Sequence, residues 1–139
     1  MGNNGNVSIF VIVKEPEQAL LKELLAGIEE EGIPYTVSSF EGEALNETFK
    51  ASQLSKLGVA VGVWKNRIIL HYSKSRGFGP LFDGELNGYE KERARRIGNN
   101  AARLYKVMPL KDMRPNITIK EIVDMVRERV IAALKAKPL

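Results

Sequence analysis

The alternation of apolar and polar positions divides the chain into short strands and amphipathic helices. Four runs rich in β-branched residues are typical of β-strands, at residues 7–13, 34–40, 57–64 and 68–72. After the first run, apolar positions recur every three or four residues, which predicts a helix that ends near Gly32. A strand, a helix and a second strand form a βαβ unit, so the first two strands should run parallel.

A tight turn and a weaker helix extend the predicted sheet. Residues 65–67 form a loop short enough for a hairpin, so the fourth strand should run antiparallel to the third. The sequence therefore predicts an α/β fold with a mixed sheet. A weaker helix over residues 43–54 has an inner side predicted to hold Leu45, Phe49, Ser52 and Leu54. Small residues line the third strand and indicate that a helix or another backbone approaches closely, at Gly58, Ala60 and Gly62.

The next part of the chain holds a glycine-rich stretch and a longer helix. Residues 73–88 show no regular period, which predicts a long ordered loop that contains Pro80, Leu81 and Phe82. Apolar positions at helical spacing return over residues 89–108 and predict a helix with basic residues on its outer positions. Gly98 lies on the apolar side of this helix, so that side can pack close to a neighbour.

Length and pattern indicate one domain followed by a helical extension. A chain of 139 residues is long enough for a single core. A capping box that begins at Thr118 starts a further helix with an apolar stripe. We therefore divide the chain into an α/β domain at residues 1–113 and a C-terminal helical extension at residues 114–139. The extension is expected to pack on the domain or on a partner.

The composition excludes several kinds of chemistry. With no cysteine and one histidine, the chain cannot use thiol catalysis, disulfides, or a metal site of cysteines or several histidines. Phosphate-binding glycine motifs and serine-nucleophile motifs are also missing. His71 is interpreted as a structural or surface residue, since no carboxylate near it in the sequence suggests a proton relay. No apolar run approaches the roughly 20 residues of a membrane span, so we expect a cytoplasmic protein.

Three consecutive carboxylates end the first predicted helix, at Glu29, Glu30 and Glu31. A helix C-terminus carries partial negative charge, so carboxylates there are unfavourable unless something outside the helix binds them. Their oxygens suit a hard cation such as Mg²⁺ or Ca²⁺. Successive helical residues point about 100° apart, so at most one or two could ligate the same ion. The alternative is a solvated helix end, and it is the interpretation that the residues alone favour.

Basic residues line the predicted helix at residues 89–108, but they do not make a convincing nucleic-acid site. Acidic residues are interspersed, few aromatic residues are near, and the net charge is only +4. A solvated face, or one docked on an acidic partner, is the favoured interpretation. Asn99 and Asn100 are poor helix formers within this helix. Close packing or contact with a partner would explain them.

Three segments together resemble the small subunit of diol or glycerol dehydratase reactivating factors. They are Gly-Ile-Glu-Glu-Glu-Gly-Ile-Pro at residues 27–34, Pro-Leu-Phe at residues 80–82, and Gly-Asn-Asn-Ala-Ala-Arg-Leu at residues 98–104 with Pro-Leu-Lys-Asp at residues 109–112. The resemblance extends over residues 7–113. The helix predicted from Thr118 onward departs from it, because family members end soon after the third segment.

The resemblance implies a fold and a function. The implied fold is a three-layer α/β/α domain with a mixed, mostly parallel sheet of four or five strands, similar to anticodon-binding domains, here with an extra C-terminal helix. The implied protein is a non-catalytic subunit that binds a larger, ATP-hydrolysing, chaperone-like subunit. The complex releases damaged cobalamin from inactivated dehydratase by subunit exchange, with transient contact to dehydratase subunits. Neither nucleic acid nor a membrane is an expected partner, and association with a bacterial microcompartment is one option for its location.

The resemblance also assigns roles to residues. A glutamate of the Glu-rich turn reaches a metal ion at the interface with the large subunit, and the motif places that role on Glu30, with Glu29 and Glu31 as fallbacks. The isolated chain is expected to carry no cofactor, with Mg²⁺ shared at the interface. The expected partner interface comprises Glu29, Glu31, Pro80, Leu81, Phe82, Asn99, Asn100 and Arg103.

Two alternatives remain from the sequence. The medium subunit of the dehydratase itself shares the implied fold and the Asn-Ala-Ala-Arg segment, although it is normally longer. An RNA-binding module of the anticodon-domain type belongs to a different functional class. Salt-dependent RNA binding would favour the module, and co-purification with a large ATPase subunit would favour the reactivating factor.

Overall fold

A computed structural model describes residues 7–74, 79–106 and 110–114. Strands and helices follow one another in the described part as β1 (Ile9–Lys14), α1 (Gln18–Glu30), β2 (Tyr35–Ser39), α2 (Ala44–Leu54), β3 (Val59–Trp64), β4 (Arg67–Tyr72), β5 (Phe82–Glu85) and α3 (Lys91–Lys106). The four predicted strands are confirmed in this order, and so are the three predicted helices, the third over Lys91–Lys106. The helix predicted from Thr118 lies outside the described residues.

The five strands form one mixed sheet in the order β2-β1-β3-β4-β5. β1 lies parallel to both β2 and β3, whereas β4 runs antiparallel to β3 and to β5. Trp64 pairs with Arg67 across the turn between β3 and β4, which confirms the predicted hairpin. Of the five strands in the described residues, four consequently point the same way and β4 is reversed.

Helices cover both faces of the sheet, so the predicted three-layer α/β/α arrangement is confirmed. α1 and α3 lie on one face, over a core that includes Val11, Val61 and Leu70. α2 lies on the other face, where a smaller cluster includes Ile12, Ala60 and Ile69. Residues that alternate along β1, β3 and β4 therefore serve two separate cores, as expected for strands buried on both faces.

α1 and α3 run parallel and touch through their backbones. A Cβ added to Gly98 would meet the backbone carbonyl oxygen of Leu24, and one added to Gly27 would meet that of Arg95. The close packing predicted at Gly98 is thus confirmed, with Gly27 as its counterpart on α1. Because neither glycine has a side chain at the crossing, polar groups near the ends of the two helices come within bonding distance.

α2 packs through small residues, which corrects its predicted inner side. A Cβ on Gly62 would meet the Oγ1 of Thr48, so the close approach of a helix to β3 is confirmed. Leu45 packs against the core on this face and Ser52 is buried, as predicted, but Phe49 is 45% exposed and Leu54 is 71% exposed, so their assignment to the inner side was wrong. The bare surface of β3 brings α2 so near that only small side chains fit between them, at Ala44, Thr48, Ala51 and Ser52.

The predicted loop over residues 73–88 contains an edge strand, β5. Leu70 pairs with Phe82, and Arg67 forms two hydrogen bonds of 2.8 and 2.7 Å with the Asp83 carboxylate across the same two strands. Phe-Asp-Gly-Glu lacks the apolar alternation that marks a strand, so pairing with β4 rather than local pattern forms this element. None of the described helices combines the length and the apolar composition that crossing a membrane requires.

Candidate functional site

α1 ends next to the N-terminal ends of β1, β2 and β3, and these strand ends form one edge of the sheet. Tyr35 at the start of β2 pairs with Ile9 at the start of β1, and four residues connect α1 to β2. α3 runs parallel to α1, so its last turn reaches the same edge. The edge therefore brings together the three carboxylates of α1 and the basic end of α3.

Glu29 points toward β2. The hydroxyl of Tyr35 donates a 2.7 Å hydrogen bond to Glu29 Oε1. This hydrogen bond, together with burial, raises the pKa of Tyr35. The Glu29 carboxylate thus has a neutral donor from its own chain.

Glu31 is bound by the end of α3. Arg103 Nε donates to its Oε2 at 3.2 Å, and Lys106 Nζ donates to its Oε1 at 3.0 Å. Lys106 Nζ also donates to the backbone carbonyl of Glu31 at 3.0 Å, which satisfies a helix-end carbonyl. Burial acts to raise the pKa of Glu31, but the two cationic donors outweigh it and the pKa lies below its ordinary value. The cations that a helix C-terminus favours are supplied by the neighbouring helix.

Glu30 is exposed like Glu29, but it has a cationic and an amide partner, both on α3. Arg95 Nη1 lies 3.3 Å from Glu30 Oε2, and Asn99 Nδ2 donates to Oε1 at 3.1 Å. The Glu30 side chain is 49% exposed. Arg95 is also paired with Glu23, through Nη2 at 2.7 Å. Glu30 thus shares its cation with a second, nearer carboxylate.

Asn99 and Asn100 are buried, and they hold parts of this chain together. Asn99 Nδ2 donates to the carbonyl of Gly27 at 2.7 Å as well as to Glu30, while its Oδ1 accepts from Lys111 Nζ at 3.0 Å. Asn100 exchanges two hydrogen bonds with the backbone of Lys111, at 2.8 and 2.6 Å. These bonds explain why two poor helix formers occupy α3. Any part that the two asparagines have in an interface is indirect, because their side chains are covered.

Pro80, Leu81 and Phe82 lie at the same end of the strands as the carboxylates. They are next to β4, however, whereas Glu29 lies next to β2. Leu81 is exposed, and its N–H donates to the carbonyl of Leu70 at 2.9 Å. Phe82 is partly buried, with the guanidinium of Arg93 5.2 Å from its ring centre. The structure therefore places this segment and the carboxylates on one edge without bringing them into contact.

His71 lies on the α2 face, away from the carboxylates. It is buried, and no described residue forms a hydrogen bond with its Nδ1. Its ring packs edge-on against Phe49, with 5.0 Å between the ring centres. Burial lowers the pKa of His71, which favours the neutral form. This environment agrees with a structural role. Pro80 lines the same groove, which has a volume of about 350 Å³.

The donor set at the end of α1 fits one ligand of a magnesium ion, not a whole site. No group of three or more metal-ligating side chains occurs within the described ranges. Glu30 nevertheless presents a half-exposed carboxylate that already binds a cation, the Arg95 guanidinium. Mg²⁺ commonly uses one or two protein carboxylates and completes its octahedron with water or other oxygens. Glu30 could therefore supply one such oxygen, with the others coming from outside the described residues.

Sequence reasoning missed Glu23, Arg95 as a partner of Glu30, and Lys111. The sequence signal for these contacts was a stripe of acidic residues on α1 and a stripe of basic residues on α3. That signal becomes usable only when both helices are known to lie side by side and parallel. Acidic and basic helix faces of one chain should therefore be tested against each other before an outside partner is assumed.

The fold is an α/β domain in which ion pairs join the end of α1 to α3. Comparison with known proteins shows the family to which this domain belongs. The family described as dehydratase medium subunit matches residues 6–111 of this chain. The match includes the whole sheet, all three described helices and the site carboxylates. The chain belongs to the dehydratase medium subunit family.

Two curated proteins that are similar to this chain are named as small subunits of reactivating factors. The chain is 32% identical over 118 residues to the diol dehydratase-reactivating factor small subunit of Klebsiella michiganensis, covering 84% of this chain and 94% of the relative. It is 31% identical over 112 residues to the propanediol dehydratase-reactivating factor small subunit of Salmonella typhimurium, covering 80% and 96%.

Two solved structures share the fold. One is a diol dehydratase-reactivating factor complexed with ADP and Mg²⁺, with a TM-score of 0.67 and 33% identity over 76% of this chain and 97% of that chain. The other is a glycerol dehydratase reactivase, with a TM-score of 0.69 and 25% identity over 77% and 98%. Nearly the whole of each solved chain is matched, while about a quarter of this chain lies outside the match.

Proposed function

We propose that this chain is the non-catalytic small subunit of a factor that reactivates diol or glycerol dehydratase. The observation that carries this proposal is the similarity to two reactivating-factor small subunits over 94% and 96% of their lengths. A solved glycerol dehydratase reactivase and a diol dehydratase-reactivating factor support it at the level of the fold. ATP hydrolysis is assigned to the large partner subunit.

The proposed docking surface is the edge of the sheet at which α1 ends. Glu30 is half-exposed there, and Leu81 adds an exposed apolar side chain on the same edge. Arg103 lies behind Glu31 and fixes its direction. Asn99 and Asn100 act from beneath the surface, by orienting Glu30 and by holding residues 110–114. The predicted interface residues thus divide into those that touch the partner and those that position the others.

At this surface Glu30 contributes one ligand to a Mg²⁺ ion that is shared with the large subunit. Two observations support this role: the half-exposed carboxylate with its weakly held cation, and the Mg²⁺ that accompanies ADP in the solved structure of a similar reactivating factor. A bound Mg²⁺ would supply positive charge that joins oxygen ligands of both subunits. Glu31 is occupied by two cations of α3, whereas Glu29 and Glu30 are exposed; of these two, the resemblance places the role on Glu30, with Glu29 as the fallback.

In the proposed reaction cycle the complex binds inactivated dehydratase transiently and releases damaged cobalamin by exchanging subunits. The small subunit and the dehydratase medium subunit would compete for related surfaces, which their common family supports. The proposed location is the cytoplasm, with a bacterial microcompartment as the site of the dehydratase.

Reconstitution tests this function directly. Inactivated dehydratase is mixed with ATP, Mg²⁺, fresh cobalamin and the large subunit of the cognate factor, with and without this chain. We expect dehydratase activity to return only when both subunits are present. Recovery that is equal without this chain would contradict the proposal.

A second candidate is a component of the dehydratase itself, because the matching family is described as dehydratase medium subunit. The same purified components distinguish the two. A reactivating-factor subunit should form a stable complex with the large subunit of the factor. A dehydratase component should instead form one with the catalytic subunit of the dehydratase and raise its activity before any inactivation.

A further inference from the structure

Arg95 lies between two carboxylates and binds them unequally. Its Nη2 is 2.7 Å from Glu23 Oε1, whereas its Nη1 is 3.3 Å from Glu30 Oε2. The Arg95 side chain is 40% exposed, so both pairs are partly screened by water. The guanidinium can therefore give up its longer pair with Glu30 and keep its shorter pair with Glu23.

The two oxygens of Glu30 are held differently. Oε1 accepts from Asn99, which is itself anchored to the Gly27 carbonyl at 2.7 Å and receives a hydrogen bond from Lys111. Asn99 is buried, so the position of Oε1 is set from inside the domain. Oε2 has only the long contact to Arg95 among the bonds of the described residues. Oε2 is consequently the oxygen that is open to exchange.

We propose that Arg95 is an internal cation that occupies Glu30 in the free chain and is displaced when Mg²⁺ binds there. This inference rests on the proposed role of Glu30. Glu23 receives the displaced guanidinium, which keeps its charge paired while Oε2 turns to the metal. Asn99 acts as a positioning residue that retains Oε1 throughout. The free chain is thereby kept from presenting an unpaired carboxylate before its partner arrives.

If Arg95 and Mg²⁺ compete for Glu30, substitutions of Arg95 and of Glu23 should change the Mg²⁺ requirement of assembly in opposite directions. An ion pair with a structural role alone does not predict this. Arg95→Gln removes the competing cation, so half-maximal assembly with the large subunit should need about two- to fivefold less Mg²⁺, the range for a partly exposed pair. Glu23→Gln leaves Arg95 with Glu30 alone, so assembly should need about two- to fivefold more Mg²⁺. The two variants break the same ion pair and yet shift the midpoint in opposite directions.

The measurement is a Mg²⁺ titration of complex formation between the full chain and the large subunit, followed by sedimentation velocity. Arg67→Gln and Glu47→Gln are matched controls, since each changes the charge equally at an ion pair on the α2 side. Arg95→Lys is a second variant that keeps the charge with fewer donors, and it should shift the midpoint in the same direction as Arg95→Gln but less. If thermal unfolding shows that Arg95→Gln does not fold, Arg95→Lys is used in its place.

The outcomes separate this inference from the function on which it rests. If Glu30→Gln alone leaves the Mg²⁺ midpoint unchanged, the metal role of Glu30 fails and displacement of Arg95 fails with it. If Glu30→Gln abolishes the Mg²⁺ dependence but the Arg95 and Glu23 variants shift the midpoint in the same direction, or no more than the controls, displacement alone is overturned. Opposite shifts that vanish in the Glu30→Gln background support it.

Discussion

The two helical layers of this domain are built in different ways. On one face of the sheet, α1 and α3 reach backbone contact at Gly27 and Gly98, and ion pairs continue from that crossing to the helix ends. On the other face, α2 is the one helix among the described residues, and it packs mainly through small side chains while Phe49 and Leu54 stay exposed. A groove of about 350 Å³ remains beside His71 on that second face.

The difference shows how a site can be positioned without a pocket. Hydrogen bonds between side chains on two helices keep their lengths only if the separation of the helices is set by something stiffer. The glycine crossing sets it here, one turn before the carboxylates. Within the described residues, α2 is not crossed by another helix on its face of the sheet.

The glycine crossing should give the largest single effect. Gly98→Ala would normally stabilise a helix interior by about 0.5–1 kcal/mol. Here the new methyl group overlaps the Leu24 carbonyl, so we expect a net loss of about 2–3 kcal/mol in the free energy of unfolding. Urea denaturation measures it, with Gly88→Ala as the control because nothing lies within 4 Å of the added Cβ. Equal stability of the two variants would mean that the helices are not held at backbone contact.

Glu31 should give the next largest effect. Glu31→Gln removes the negative charge that pairs with Arg103 and Lys106, and we expect a loss of about 1–2 kcal/mol at neutral pH. The folded-state pKa lies below the ordinary value of 4.5, so this stability is present above that pH and is lost as the pH falls through the folded pKa. Wild type and variant should therefore converge in urea titrations at acidic pH. Glu47→Gln on α2, whose partner Lys50 is exposed, should change stability far less.

His71 should give a smaller, pH-dependent effect on the α2 face. Burial lowers its folded-state pKa below the ordinary value of 6.5, so the unfolded chain binds the proton more readily. Stability should then decline as the pH falls below about 6.5 and level off below the folded pKa. His71→Leu should reduce the difference in unfolding free energy between pH 7.5 and pH 5.5. A variant with the full wild-type pH dependence would show that His71 does not titrate in this way.

Leu54 should give the smallest effect of the four. It is 71% exposed, so Leu54→Gln should change the unfolding free energy by less than about 0.5 kcal/mol. A loss of 2 kcal/mol or more would show that Leu54 is covered in solution, and that the α2 face is more completely packed than the described residues indicate.

The elements with strong local patterns were predictable, and those formed by distant contacts were not. The βαβ start, the hairpin and the close packing at Gly98 follow from apolar periodicity, turn length and small residues. β5 was missed because its four residues have no strand pattern, and only pairing with β4 identifies them. Phe49 and Leu54 were wrongly placed on the inner face of α2 because helical spacing alone favours large apolar residues, whereas Gly62 brings the helix close at Thr48.

The site was predictable in part. The three carboxylates at the end of α1 are unfavourable for a helix C-terminus, which pointed to partners outside the helix, but the residues alone favoured a solvated end and that interpretation was wrong. The partners of Glu30 and Glu31 lie 65 to 75 residues away in the sequence, on a helix whose position follows only from the fold. The basic face of α3 was interpreted as solvated or docked on an acidic partner, and that acidic partner is α1 of the same chain.

Assembly with the large subunit as a function of Mg²⁺ tests the central claim most directly. Wild type, Glu30→Gln and Glu29→Gln are titrated with Mg²⁺ at a fixed concentration of the large subunit, and complex formation is followed by sedimentation. Wild type and Glu29→Gln should assemble with similar Mg²⁺ dependence, because Glu29 is bonded to Tyr35. Glu30→Gln should assemble weakly and without Mg²⁺ dependence. Unchanged Mg²⁺-dependent assembly of Glu30→Gln, or no assembly of the wild type at any Mg²⁺ concentration, would contradict the account.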